Sequence, residues 1–175
     1  MTEEIRIRRA GREDRVAALG LWRQLQTDHE EQDPRYRIAP DAEARWATDY
    51  RTWTRAHTSR VWVAEATTSP EASGELVGLL TAHLADPAPM YRGVPFVFVG
   101  DLVTARGWRG HGIGARLVET ARAWGRELGA GELRAGVLAT NPSGRRFWER
   151  EGASDFSITV VMPLDSDASG ADTQR

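Results

Sequence analysis

Four glycines crowd one turn in the middle of the chain, and this turn constrains the fold most strongly. It lies between an apolar run, 95–103 (PFVFVGDLV), and an amphipathic stretch, 113–128. A buried strand, a glycine-rich turn and a helix direct several backbone N–H groups and the helix dipole at one anion. Arg106 and Arg109 add guanidinium groups, which suit phosphate oxygens. The turn therefore predicts a diphosphate site, and its glycines are Gly107, Gly110, Gly112 and Gly114.

Two other interpretations of this turn stay open. The glycines could serve only a tight connection from strand to helix, although four in eight residues exceed that need. The turn could also open a dinucleotide-binding fold. Its spacing, however, is G-x-G-x-G rather than G-x-G-x-x-G, and a hairpin earlier in the chain does not suit that fold.

The length and net charge of the chain limit the number of domains and the kinds of partner that it can have. A chain of 175 residues predicts one domain, covering 1–163, and we expect its polar tail, 164–175, to be disordered. The net charge of -2 lacks the positive excess that would attract nucleic acid or an acidic membrane surface. We therefore expect neither as a partner. The sequence shows no signal segment and no apolar run long enough to span a bilayer, which predicts a cytoplasmic location.

The residue inventory excludes several chemistries. The chain has no cysteine, so disulfides, thiolate metal sites and an acyl-cysteine intermediate are excluded. All 23 basic residues are arginine, which excludes a lysine phosphate loop and a Schiff base. We expect no metal.

Hydrophobic periodicity predicts alternating strands and helices. Strands 60–66 and 75–83, joined by the polar TTSPEASG, are predicted to be antiparallel neighbours. Asn141, Pro142 and Gly152 are typical of an N-cap, a first-turn proline and a residue just beyond a helix. The other predicted elements are a strand at 5–7, a helix through Val16 and Leu25, a loop at 28–40, a helix at 41–55, strand 95–103, helix 113–128, and strands 133–138 and 156–162.

At this point the sequence resembles the GNAT superfamily of N-acetyltransferases. Arg109, Gly112 and Gly114 match its R/Q-x-x-G-x-G/A signature, and 141–153 (NPSGRRFWEREGA) is similar to its second motif, N-x-x-A-x-x-F-Y-x-x-x-G-F. The resemblance covers roughly residues 5–162. It implies an α+β fold with a mixed, mostly antiparallel sheet of six to seven strands, flanked by about four helices. Strands 4 and 5 of such a sheet splay apart to admit the pantetheine arm of acetyl-CoA.

The resemblance also implies which residues bind the coenzyme. Leu102 and Val103 would offer backbone groups to the pantetheine arm, and Asn141 would approach from the second side, although an N-cap role explains Asn141 equally well. Trp148 stands at the tyrosine position of the second motif. The pyrophosphate would lie on the loop formed by Arg109, Gly110, His111, Gly112, Ile113, Gly114 and Ala115.

Direct acetyl transfer needs a base for the amine and a donor for the thioester carbonyl. We predict Asp101 as the base, provided that a β-bulge turns it inward, with His83 as the runner-up. The carbonyl would meet the N–H of Val103. The usual acid is a tyrosine, and Trp148 cannot release its indole proton at useful pH. Water or a tyrosine from elsewhere in the chain would instead protonate the departing thiolate, and Tyr91 is the candidate tyrosine.

Three functional hypotheses follow. The leading one is an N-acetyltransferase that acts on a small-molecule or peptide amine. Its main rival is a regulatory module that binds CoA with little catalysis, because the usual tyrosine and strand-four glutamate are missing. A nicotinamide-dependent reductase is the third. A homodimer stays open as an assembly.

Overall fold

The structure is a computed structural model that describes residues 4–67 and 74–164. The predicted hairpin connection and nearly all of the predicted tail lie outside these residues. No helix within the described ranges combines the length and apolar character needed to cross a membrane. The strands are β1 (Glu4–Arg9), β2 (Ser59–Thr67), β3 (Glu75–Ala85), β4 (Phe96–Thr104) and β5 (Glu132–Ala135). The helices are α1 (Arg15–Gln32), α2 (Ala42–Trp53), α3 (Ile113–Glu127) and α4 (Pro142–Arg150), with short 3-10 turns at Pro34–Tyr36 and Arg106–Trp108.

The strands form one mixed sheet in the order β1-β2-β3-β4-β5. The first four are antiparallel neighbours, and β5 runs parallel to β4. This arrangement confirms the expected α+β fold. The described sheet has five strands rather than six to seven, because 156–162 pairs with no strand and its large apolar side chains are 68–87% exposed.

The sheet is covered on both faces, which gives the domain two cores. One core packs α3 against one face through Ile113, Leu117 and Trp124. The other packs α1 and α2 against the opposite face through Trp22, Trp46 and Tyr50. The amphipathic stripe that predicted α3 is therefore confirmed, and the helix begins at Ile113, after the turn that follows β4.

The first helix is longer than the sequence predicted. The loop prediction for 28–40 is wrong over its first residues, because α1 continues to Gln32. Glutamate and glutamine at 30–32 are good helix formers that need no buried face. Asp33 ends the helix and accepts the N–H of Arg35 at 3.0 Å, which starts the 3-10 turn. The longer α1 brings Asp28 and His29 beside the end of β4.

Candidate active site

A gap opens between β4 and β5 where their pairing stops. Pairing runs from Phe96 with Glu132 to Val99 with Ala135, and β4 then continues alone to Thr104. Hence the strands separate as the resemblance implied. No strand among the described residues covers this edge in the far half of β4, although the Thr104 carbonyl there accepts the side-chain N–H of Gln24 at 3.1 Å.

Backbone alternation shows which peptide groups face this gap. The N–H of Ala105 donates to the Val77 carbonyl on the β3 side at 2.8 Å. Successive peptides in a strand point to opposite sides, so the N–H of Val103 also faces β3, whereas that of Leu102 faces the gap. The register therefore favours Leu102 over Val103 as the donor to a thioester carbonyl.

The loop 109–115, here called the phosphate cradle, has the backbone that an anion site requires. Gly110 and Gly112 have φ of 85° and 73°, which favours glycine, and Gly112 is the N-cap of α3. No side chain in the described residues caps this helix. A Cβ added at either glycine would meet nothing within 4 Å. The first amides of α3 are thus accessible, and the cradle fits a diphosphate.

The two arginines beside the cradle are tied to α1. Arg106 and Arg109 donate to the two carboxylate oxygens of Asp28, at 2.6 and 2.5 Å. Burial raises the pKa of Asp28, but the two guanidinium groups outweigh it and hold the pKa below its ordinary value. His111 lies on the exposed loop with its Nδ1 3.1 Å from the Trp108 carbonyl oxygen.

Helix α4 lines the same groove as β4. Asn141 caps this helix by accepting the N–H of Gly144 at 2.8 Å, Pro142 occupies its first turn, and Gly152 follows its end with φ of 87°. The N-cap role foreseen for Asn141 is therefore present, while its contact with the coenzyme stays a prediction.

Close packing joins α4 to the cradle. Phe147 lies so close to Gly114 that a Cβ there would come within 3.1 Å of its ring. Trp148 packs edge-to-face on Phe147 at 5.3 Å and against the α3 core. Gly114 therefore permits the contact between the first turn of α3 and α4.

A bulge in β4 places Asp101 on the face covered by α1 and α2. Thr81 pairs with Asp101 and Ala82 with Val99, which leaves Gly100 as an extra residue. Val103, two residues after Asp101, packs into the α1/α2 core. Asp101 shares that face, because side chains two apart point the same way. The bulge on which the prediction for Asp101 depended is therefore present.

Asp101 is a largely buried carboxyl with few partners. Burial raises its pKa above the ordinary value, while the Thr81 hydroxyl and the Trp46 indole N–H favour the charged form. Thr81 donates to Oδ2 at 2.9 Å and accepts the Asp101 N–H at 2.9 Å. A carboxylate whose pKa is raised is a stronger base, and is better suited to accept a proton from an amine.

Two histidines border Asp101. His83 places Nδ1 3.0 Å from the Ser59 hydroxyl, and its Nε2 would lie 3.6 Å from a Cβ on Gly100. Burial lowers the pKa of His83 and His29 against the opposing charge of Asp101, so both favour the neutral form. The sequence did not predict that His29 would lie beside Asp101. The missed signal is its position four residues after Leu25, on the same face of a longer helix.

The three tyrosines lie in different surroundings. Tyr91, the predicted acid, lies in the loop before β4 and is 67% exposed. Tyr50 is buried and donates to the Gly11 carbonyl at 2.8 Å. Tyr36 lines an open groove that runs from α1 over the cradle to α4. That groove also contains most predicted coenzyme residues: Leu102, Val103, Arg109, Gly110, Gly112, Ile113, Gly114, Ala115, Asn141 and Trp148.

Solved structures with this fold include known acetyltransferases. A mutant of the BH1408 protein from Bacillus halodurans has a TM-score of 0.76 at 20% identity, over 91% of this chain and 99% of that one. The aminoglycoside N-acetyltransferase AAC(6')-Iy in complex with CoA has a TM-score of 0.71 at 16% identity, over 94% and 97%. Glucosamine-6-phosphate N-acetyltransferase from Arabidopsis thaliana has a TM-score of 0.65 at 18% identity, over 93% and 100%.

The family assignment comes from the sequence itself. No curated protein matches the chain significantly. The model of the acetyltransferase (GNAT) family matches residues 21–153, which include α1, the cradle and α4. The chain therefore belongs to the GNAT family, whose members are acetyl-CoA-dependent N-acetyltransferases.

Proposed function

We propose that this protein transfers the acetyl group of acetyl-CoA directly to a primary amine of a small molecule or peptide, with both substrates bound together. The observation that carries the proposal is the position of Asp101, a largely buried carboxyl at the β4 bulge, on the face covered by α1 and α2. The neighbouring residue, Leu102, faces the gap. Because the chain has no cysteine, an acyl-cysteine intermediate is excluded and direct transfer is favoured.

In this proposal each group near the bulge has a separate task. Acetyl-CoA supplies the acyl group as its thioester. Asp101 accepts the proton that the amine must lose, because an ordinary alkylammonium group is almost fully charged near neutral pH. The N–H of Leu102 donates to the carbonyl oxygen as negative charge develops there. His83 is the alternative base, held by Ser59 beside the same bulge.

Protonation of the departing thiolate requires no strong acid from the protein. Trp148 can donate a hydrogen bond but keeps its proton. CoA leaves as a thiolate, and an ordinary thiol has a pKa of about 8.5. The thiolate is therefore stable enough to leave without an acid, and water can protonate it afterwards. Tyr91 stays a prediction for this role. A fall in kcat for Tyr91→Phe, with unchanged KM for acetyl-CoA, would support it.

The acceptor side of the groove offers an aromatic contact for an amine. The carboxylates near the end of α1, Asp28, Glu31 and Asp33, are each paired with an arginine, so their charges are balanced. The ring of Tyr36 lines the groove beside them, and an aromatic face binds ammonium groups. Two of the similar structures are enzymes named for aminoglycoside and glucosamine-6-phosphate acceptors. We therefore include amino sugars and polyamines among the acceptors to test.

The decisive experiment measures thiol release from acetyl-CoA with a library of amines, followed by Asp101→Asn. Loss of a general base lowers kcat by about 10²-fold or more, while binding of acetyl-CoA measured by calorimetry stays unchanged. Asp86→Asn is the matched control, because this aspartate is exposed in the loop after β3. Tight CoA binding without turnover of any amine would contradict this proposal and favour a regulatory module that binds CoA.

A further inference from the structure

A cavity of about 660 Å³ lies between the residues where α1 begins and those where α2 ends. Four of its nine lining residues are arginines, and four others carry a hydroxyl group. No aspartate or glutamate of the described residues lines it, so the cavity is strongly basic. It is here called the arginine cavity, and its arginines are Arg12, Arg15, Arg51 and Arg55.

Two acidic residues directly precede Arg15, but both have other contacts. Arg8 binds the two carboxylate oxygens of Asp14, at 2.7 and 2.8 Å. The Glu13 carboxylate lies against Gly11. Among the residues that the structure describes, none of the four cavity arginines forms an ion pair, whereas other arginines of α1 and α2 do. The positive charges of the cavity are therefore available to an anion.

The donors of the cavity arginines are nearly all free. Within the described part of the chain, only Arg51 of the four donates a side-chain hydrogen bond, to the Thr48 hydroxyl at 3.2 Å. The end of α2 does not need the others, because Arg60 Nη1 donates to the Ala56 carbonyl there at 2.8 Å. A guanidinium group carries five N–H donors in a planar fork, so the cavity can supply many hydrogen bonds to one ligand.

Tyr50 holds the two walls of the cavity together and keeps its own ring covered. Its hydroxyl, on α2, donates to the Gly11 carbonyl just before α1 at 2.8 Å. The walls are thus already in place, and a ligand need not order them. Tyr50 is the one aromatic residue that lines the cavity, and it is only 1% exposed. The cavity therefore offers charge and hydroxyl groups but no free ring on which a nucleic-acid base could stack.

We propose that the arginine cavity binds a compact polyphosphate anion, either free or as the phosphate tail of a nucleotide. The planar fork of arginine matches phosphate oxygens, and threonine hydroxyls also bind phosphate. Four guanidinium groups in one cavity call for a ligand with several negative charges in a small volume. A chain of two or three phosphates has this charge density, whereas a single phosphate would leave part of the positive charge unbalanced.

This site is separate from the phosphate cradle. Arg15 is the first residue of α1, and Asp28, which binds Arg106 and Arg109 beside the cradle, lies near the other end of the same helix. A helix rises about 1.5 Å per residue, so the two positions are about 20 Å apart along α1. An anion in the arginine cavity therefore does not compete with a ligand on the cradle, and both can be bound together.

The first test is calorimetric titration of the full chain with tripolyphosphate in metal-free buffer, with CoA in excess to occupy the cradle. We expect binding that weakens as salt is added. Arg15→Ala/Arg51→Ala should weaken it by about a hundredfold, because each charged hydrogen bond contributes about tenfold. Arg15→Lys/Arg51→Lys keeps the charge but loses the forks, so its affinity should lie between those of the native chain and the alanine variant.

The matched control is Arg23→Ala/Arg45→Ala, which removes the same charge from the same two helices. These arginines pair with Glu43 and Asp41 and do not line the cavity, so the affinity for tripolyphosphate should change little. No binding by the native chain, or an equal loss in the control and in Arg15→Ala/Arg51→Ala, overturns the proposal. Far-UV circular dichroism checks that each variant is folded.

A second set of titrations separates the possible sources of the anion. ATP that binds as tightly as tripolyphosphate supports the phosphate tail of a nucleotide, and tighter binding of tripolyphosphate supports the free anion. Citrate at equal ionic strength should bind more weakly, because its carboxylates carry less charge than a phosphate chain. Citrate or a short DNA duplex that binds as tightly as tripolyphosphate overturns the assignment to a compact polyphosphate. None of these titrations depends on acetyl transfer.

Discussion

Thr81 and Asp101 bind each other across β3 and β4 through two hydrogen bonds of 2.9 Å. The Thr81 hydroxyl donates to the carboxylate and accepts the N–H of Asp101. Because Thr81 is fully buried, this pair is shielded from water, and the hydroxyl helps to set how readily Asp101 ionises.

Thr81→Val should therefore change the pH dependence of the proposed reaction. Valine keeps the shape but removes the donor, so the pKa of Asp101 rises further and the acid limb of kcat/KM moves to higher pH. The alkaline plateau should change less. A pH series of initial rates measures both. We also expect a loss of about 1–3 kcal/mol in unfolding free energy, because the Asp101 N–H loses its acceptor.

The control for this change is Thr67→Val, which alters a buried threonine on β2 whose hydroxyl donates to the Glu4 carbonyl. In Thr67→Val, the fall of kcat/KM at low pH should occur at the same pH as in the native protein. An unshifted limb in Thr81→Val would contradict the assignment of Asp101 as the titrating base.

Asp101→Asn should stabilise the fold at neutral pH although it removes activity. Burial raises the pKa of Asp101 in the folded state, so the folded protein binds this proton more tightly than the unfolded chain does. That contribution is present below the ordinary pKa and is lost as pH rises through the folded pKa. Asparagine cannot ionise and can still accept from Thr81. The gain in unfolding free energy of Asp101→Asn over the native protein, measured in urea, should therefore grow as pH rises from the ordinary pKa of an aspartate through the raised folded-state pKa. A gain that does not change with pH would contradict the raised pKa of Asp101.

Local sequence pattern was enough to predict the glycine-rich turn and the helix that follows it. Gly112 is needed where φ is positive, and the apolar stripe behind it forms α3 through contacts within one turn of helix. The surroundings of Asp101 depend on contacts between distant parts of the chain. Asp101 faces α1 and α2 only because Gly100 bulges against β3, and this register is not encoded locally. His29 approaches Asp101 only because α1 runs beyond its apolar stripe.

The two ends of α3 offer a matched test of the phosphate cradle. Gly112 at the N-terminus and Gly129 beyond the C-terminus have φ of 73° and 75°, and a Cβ at either would meet nothing within 4 Å. Alanine at each position should cost about 1–2 kcal/mol of stability, because a left-handed conformation is strained for a residue with a Cβ. Only Gly112→Ala should weaken CoA binding, by about tenfold or more in calorimetry, since its methyl group enters the proposed phosphate position. Equal affinities in the two variants would remove the cradle from the coenzyme site.

Asp28 and Arg109 should have opposite effects on the affinity for CoA. Arg109→Ala removes a charge beside the cradle and should weaken binding by about tenfold, as expected for one charged hydrogen bond. Asp28→Asn removes the carboxylate that now binds Arg106 and Arg109, which leaves both guanidinium groups to attract phosphate. Its affinity should rise, and more so at low salt, where charges are screened less. The control is Glu30→Gln, a carboxylate on the same helix that binds Arg37 instead. Calorimetric titration at two salt concentrations measures all three. Weaker binding by Asp28→Asn would show that this carboxylate positions the arginines rather than competing for them.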